Sequence, residues 1–144
     1  MYDKVGDVQH GIVDKLIGDA VMGLYFAQLT PDGRYVDSMV RDAHAILRAQ
    51  GYGTPEGPQL QVGIGLDVGP AYVGIVGDGE IRDFTAIGDV VNTASRLQSV
   101  AAGGEIVMSE AVADIAAVHE GEVVRLGLKG KAEPVLARRI TFAG

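Results

Sequence analysis

The chain contains no cysteine, which excludes disulfides, thiolate nucleophiles and zinc–sulfur sites. Its histidines, His10, His44 and His119, stand far apart and in no ligand spacing such as HExxH, so they read as surface or structural residues. No uncharged apolar run approaches the roughly 18 residues that a membrane span requires. Nothing in the sequence has the charged-then-apolar pattern of a secretory signal. Basic residues are the minority: 12 Lys and Arg against 19 Asp and Glu leave a net charge of −7. That balance excludes a general nucleic-acid surface, which wants a basic face. It does not exclude a mononucleotide site, for which a few local cations suffice; Lys15, Arg96 and Lys129 are the candidates. A polyanion on a net negative chain also leaves room for a divalent metal. The expectation is a cytoplasmic domain without membrane contact of its own, although a parent protein could be membrane-attached.

What is present is an ordinary folded composition, 47% apolar and 22% charged over 144 residues, long enough to bury one core. Residues 1 to 144 are read as a single domain without repeats or low-complexity linkers. The apolar pattern of residues 11 to 26, GIVDKLIGDAVMGLYF, predicts two strands around a Gly18–Asp19 turn. Pro31-Asp32-Gly33 is a further turn. From Tyr35 to Gln50 the residues Val36, Met39, Val40, Ala43, Ile46 and Leu47 form a helical stripe, ended by Gly51. Residues 60 to 69 alternate, with Leu60, Val62, Ile64, Leu66 and Val68 on one face, predicting a strand with one buried face. Gly63 and Gly65 lie on the other face. Their spacing is not that of a dinucleotide-binding loop, so they predict close approach of another backbone. Further strands are expected over 71–76, 106–108, 122–128 and 134–141, with a helix capped by Ser109. The fold class is α+β, a mainly antiparallel sheet with helices on one face.

Residues 83 to 97, DFTAIGDVVNTASRL, run from a strand through a Gly88–Asp89 turn into a helix. Asp89 is expected to cap that helix, its carboxylate accepting first-turn amides where negative charge is favoured. Val90, Ala94, Leu97 and Ala101 fall on the core face. Asn92 and Arg96, four apart on the other side, project into one space. An amide beside a guanidinium suits an anionic, hydroxyl-bearing ligand such as a nucleotide, but the pair alone also fits a plain solvated face. The hairpin segment changes the balance, because Lys15 sits inside an otherwise apolar strand, where a lysine needs solvent or a partner.

Taken in order, KLIGDAVM, VGIGLDVGPAYVGIVG, DFTAIGDVVNTASRL, GGEIVMSE and LGLKGKAEPV resemble the catalytic domain of class III nucleotide cyclases, the adenylate/guanylate cyclase family. Collinear segments over most of the chain are a far stronger signal than any one motif. The resemblance implies the ferredoxin-like cyclase fold. It also implies conversion of a nucleoside triphosphate into a 3′,5′-cyclic monophosphate and pyrophosphate by attack of the ribose 3′-hydroxyl. Two Mg²⁺ or Mn²⁺ ions held by two aspartates would assist. By motif, Asp19 resembles the second metal aspartate, Arg96 the arginine at the α-phosphate, Asn92 the ribose-positioning asparagine, and Lys129 the lysine on the distal phosphates. Lys15 and Thr85 match the positions that contact the purine. A lysine there donates to adenine N1 and a threonine hydroxyl accepts from the 6-amino group, which favours ATP over GTP. The family works as dimers with shared sites, so a homodimer is expected, with flanking regulatory domains as common companions.

One departure stands out. Family members carry an FxDIxGFT-like strand upstream of the hairpin that supplies the first metal aspartate, and that motif is not present here. Asp3, Asp7 and Asp14 are the upstream acids, and none has the apolar-strand context. The chain is therefore expected to be an N-terminally truncated cyclase homology domain, lacking the first strand and first helix, and weakly active or inactive alone. Two other readings stand beside an ATP cyclase: a non-catalytic cyclase-like module that binds nucleotide or dimerises, and, among enzymes, a guanylate cyclase. A ferredoxin-like domain of an unrelated enzyme has fold-level support only.

Overall fold

The computed structural model describes residues 11–17, 19–27, 34–78, 81–128 and 130–142; over 11–17, 73–78 and 81–85 the description is of the backbone. In chain order the elements are β1 (Gly11–Ile17), β2 (Ala20–Tyr25), α1 (Tyr35–Gln50), β3 (Ile64–Leu66), β4 (Tyr72–Asp78), β5 (Ile81–Ile87), α2 (Asp89–Val100), β6 (Glu105–Ser109), α3 (Glu110–Ile115), β7 (Glu122–Leu126) and β8 (Val135–Thr141). Strands β1 and β2 form an antiparallel hairpin, as do β4 and β5. The other four make a sheet in the order β3-β6-β8-β7, parallel between β3 and β6 and antiparallel elsewhere. The expected turn at 31–33 and the amino-terminal residues 1–10 lie outside the described residues.

Alternation along β6 explains the layering. Ile106 and Met108 point to one face and join Leu66, Ile140, Val36, Val40, Leu47 and Val112 in the larger core cluster. Val107 points to the other face and packs with Leu97, Leu128 and Ala137. Side chains of opposite parity on one strand must serve opposite faces. The α+β expectation is met, and its layering is two-sided: α1 and α3 cover one face of the sheet, while α2 covers the other. Helix α1 has the predicted bounds. Its stripe buries Val36, Val40, Ala43 and Leu47, and Gly51 ends it at φ 107°, its N–H donating to the carbonyls of Arg48 and Leu47. A positive φ of this kind is where glycine is favoured. Ser109 caps α3 as expected, its hydroxyl accepting from the Val112 N–H.

The strand predicted over 60–69 is shorter than its alternation suggested, with only Ile64–Leu66 in ladder pairing. The Val62 N–H instead donates to the Tyr52 hydroxyl at 3.3 Å, and the Val62 carbonyl accepts from Gly104 N–H at 2.8 Å. Leu60, expected on the buried face, is 48% exposed. Backbone groups satisfied by loop partners need no strand neighbour.

The two glycines of this strand segment do what their position predicted. A Cβ on Gly65 would fall 2.2 Å from Gln98 N and 2.4 Å from Ala94 O, both backbone atoms of α2. One on Gly63 would fall 2.6 Å from Ala101 O. The helix therefore rests directly on strand backbone. Gly65→Ala is expected to destabilise the fold by about 3 kcal/mol, since neither backbone can yield cheaply. Gly127→Ala, with nothing within 4 Å of its added carbon, should change stability by less than about 0.5 kcal/mol. Urea unfolding of both variants checks the contrast.

Candidate functional site

Strand β5 delivers the chain to α2 through Gly88, and this junction builds the site. Asp89 does not cap the helix as expected. Gly88 is the N-cap residue, with no side-chain cap bond, and Asp89 is the first helical residue. Its carboxylate instead takes an ion-paired hydrogen bond from the Lys131 ammonium. A charged donor makes a stronger bond to a carboxylate than a neutral amide does. The carboxylate still lies in the first turn, where the helix dipole favours it.

One and two turns into α2, Asn92 and Arg96 face a small open pocket of about 70 Å³ together with Asp89, Thr93, Gly130 and Lys131. Asn92 is exposed and Arg96 half-buried, so the pair projects into one space as its spacing predicted. Gly130, at φ +85°, lies so close to Arg96 that an added Cβ would stand 3.0 Å from the nearer guanidinium nitrogen. Thr93 is 4% exposed, and no partner is found for its buried hydroxyl among the described residues. The core face of α2 is centred on Thr93 and Leu97, with Val90, Ala94 and Ala101 half-buried around it. Two cations against one carboxylate leave the pocket net positive inside an acidic chain. A net positive pocket attracts anions in preference to cations.

The remaining candidates are distributed differently. Asp19 lies in the β1–β2 turn, exposed, and is not among the pocket walls. Lys15 occupies β1 opposite Met22, directly after a register shift between Val13 and Lys15 that leaves Asp14 as the extra residue. Such a bulge re-aims the strand locally. Thr85 pairs with Gly74 in the β4–β5 hairpin, four residues before Asp89. The side chains of Lys15 and Thr85 lie outside what is described, and Lys129 lies outside the described residues altogether. The β1–β2 hairpin is moored by Tyr25, whose hydroxyl donates to Asp42 Oδ2 at 2.7 Å. Burial, and then that bond, push the Tyr25 phenol well above its usual range, keeping it a donor.

Metal binding does not fit the described residues by themselves. No group of three or more His, Asp or Glu that could hold an ion occurs among them. Asp19 is one carboxylate where a pair of ions needs more.

By alternation Asp67 falls on the face opposite Leu66, and Lys131 lies two residues beyond Lys129. The structure draws both toward the site, because the face opposite Leu66 is covered by α2. Asp67 is half-buried; burial raises its carboxyl above the usual range, offset by hydrogen bonds from the Ser109 hydroxyl and Val68 N–H and by the Lys131 charge. A lone acid at an outward strand position carries no signal of this in the sequence.

Residues 5–135 match the family model of the adenylate and guanylate cyclase catalytic domain. Over 142 aligned residues the chain is 32% identical to an adenylate cyclase of Anabaena cylindrica, covering 92% of this chain and 28% of that protein. Among solved structures, the guanylate cyclase domain of RhGC from Catenaria anguillulae in complex with GTP superposes with a TM-score of 0.77 at 27% identity, over 99% of this chain and 79% of that one. The catalytic core of a rhodopsin-guanylyl cyclase with converted specificity, in complex with ATPαS, superposes with a TM-score of 0.74 at 28% identity, over 97% of this chain and 77% of that one. The chain thus spans little more than a quarter of the length of the Anabaena relative. No helix among the described residues is long and apolar enough to cross a membrane.

The half-buried Asp67 carboxyl is expected to make the stability of the fold depend on pH. Its folded pKa is raised above 3.8, so the native state holds its proton more tightly than the unfolded chain. That contribution is fully present below pH 3.8 and is lost as pH rises through the folded pKa. Asp67→Asn keeps an acceptor for Ser109 without the charge, and is expected to be more stable than the parent at pH 7. The two proteins should converge toward pH 4. Denaturant midpoints measured across that range check it; a less stable variant at pH 7 would show that the charge itself is needed.

Proposed function

Because the chain belongs to the adenylate and guanylate cyclase catalytic-domain family, we propose that it converts ATP to 3′,5′-cyclic AMP and pyrophosphate, with residues 1 to 144 as one cyclase homology domain. The observation that carries this is the pocket that gathers Asn92 and Arg96 at the start of α2. In the reaction the ribose O3′ bonds to the α-phosphorus, the bond from that phosphorus to the bridging oxygen breaks, and the hydroxyl proton is released. Charge grows on the α-phosphoryl oxygens and on the leaving pyrophosphate. In this reading Arg96 stabilises the first, and Asn92 holds the ribose by its amide. Lys129 takes the distal phosphates. Lys15 and Thr85 take the adenine edge.

The family generally employs Mg²⁺ or Mn²⁺, which would supply further charge neutralisation at the phosphates. Asp19 is the residue that would hold such an ion.

Pocket size favours a shared site. About 70 Å³ is well below the roughly 300–1,000 Å³ of a complete small-molecule site. A second copy of the chain supplies the missing wall. Asp19 is exposed at a hairpin tip and outside the pocket of its own chain, which supports a role toward the partner's nucleotide. A two-fold homodimer then has two equivalent sites. ATP is preferred on the chemistry of Lys15 and Thr85, in keeping with the adenylate cyclase of Anabaena. The GTP-bound relative keeps a guanylate cyclase as the second reading.

The test is cyclic nucleotide formation from ATP and from GTP with Mn²⁺, in this chain and in any longer product of its gene. Cyclic AMP should predominate, and Arg96→Ala should lower the rate by about 10²- to 10³-fold. Lys15→Glu should shift preference toward GTP. A folded, dimeric protein that binds ATP without turnover would replace the enzyme by a nucleotide-binding module, and cyclic GMP as the main product would reverse the substrate.

A further inference from the structure

We infer that the Asp89–Lys131 ion pair is a latch that presses the Gly130 turn against Arg96, making Lys131 and Asp89 positioning residues for the anion pocket. The inference rests on the nucleotide reading above for the ligand, but not for the latch itself.

The turn is held at three points. Leu128 is buried in the smaller core beneath α2, with Leu97, Val107 and Ala137. The Lys131 N–H donates to the Leu128 carbonyl at 3.1 Å, closing the loop on itself. The Lys131 ammonium then reaches the Asp89 carboxylate at the first residue of α2. Gly130 sits between these anchors at φ +85° and, lacking a Cβ, lies against the Arg96 guanidinium. The turn is thereby fastened to the same helix whose arginine it covers.

The Lys131 side chain is 27% exposed and that of Asp89 76%. Such a pair contributes little to global stability, which makes a local role separable from folding. The groups facing it are Arg96 across the pocket and Asp67, whose carboxyl is influenced by both partners. An acidic side chain at the mouth of an anion pocket would repel the ligand if it were not paired. Pairing removes that repulsion while keeping the turn in place.

The experiment uses the full chain and three substitutions: Asp89→Asn, Lys131→Met and Lys131→Arg. Two quantities are read: hydrogen exchange of the Lys131 amide, and affinity for α,β-methylene-ATP by calorimetry. Asp89→Asn and Lys131→Met should each speed exchange and weaken binding by about three- to five-fold, the scale of an exposed ion pair. The double variant should cost no more than either alone, because one interaction is being removed. Lys131→Arg should restore both readouts, and the melting temperature should barely move. Unchanged exchange in both single variants overturns the latch. Tighter binding in Asp89→Asn with weaker binding in Lys131→Met also overturns it, because Lys131 would then be a direct ligand masked by Asp89. If the parent binds no nucleotide while exchange responds as expected, the latch stands and the nucleotide reading falls.

Discussion

The site depends on a contact in which two side chains are missing. Gly65 and Gly63 let the backbone of α2 settle onto the strand segment beneath it, with strand Cα positions where even a methyl group would collide with helix amides and carbonyls. The height of α2 above the sheet follows from that contact. So does the level at which Asn92 and Arg96 stand, since both are carried on the helix. Leu97 and Val107 then fill the space beside the contact, and Leu128 brings in the segment that leads to Gly130. A close backbone approach at a defined point fixes a helix more rigidly than interdigitated side chains, which can change rotamer.

Charge in this protein has to be read locally. The chain is acidic overall, with −7 at neutral pH, yet the pocket at the head of α2 is lined by two cations and one acid. Salt screens exposed charges beyond about 8–10 Å, so the surrounding acids weigh less on a bound anion than Arg96 and Lys131 do. Asp67 and Asp89 sharpen the point. One is partly withdrawn from water on the strand and the other paired at the helix start, so both acids near the pocket have their charge moderated by Lys131.

Much of this architecture was legible in the sequence. The stripe from Val36 to Leu47 with Gly51 behind it marked α1 to its last residue, and the Gly18–Asp19 turn marked the first hairpin. The Asn92–Arg96 spacing marked the face of α2 that lines the pocket. What escaped has physical causes. Alternation over 60–69 reported burial correctly at Leu66 but could not report that Val62 would bond to Tyr52 and Gly104 instead of a strand. Asp89 has the chemistry of a cap, and only the fold shows that a lysine 42 residues away reaches it first. Asp67 looked solvent-facing because a one-sided sheet was assumed, whereas α2 lies on that side. The roles assigned to Lys15, Thr85 and Lys129 rest on resemblance alone.

The Tyr25–Asp42 hydrogen bond has a mechanical meaning. Six residues of extended hairpin separate Tyr25 from Asp19, about 20 Å at 3.3 Å per residue. With the phenol as fulcrum, each degree of tilt sweeps the turn through about 0.35 Å. The hairpin is thus a lever, and small adjustments where Tyr25 meets α1 are magnified at the carboxylate on its tip.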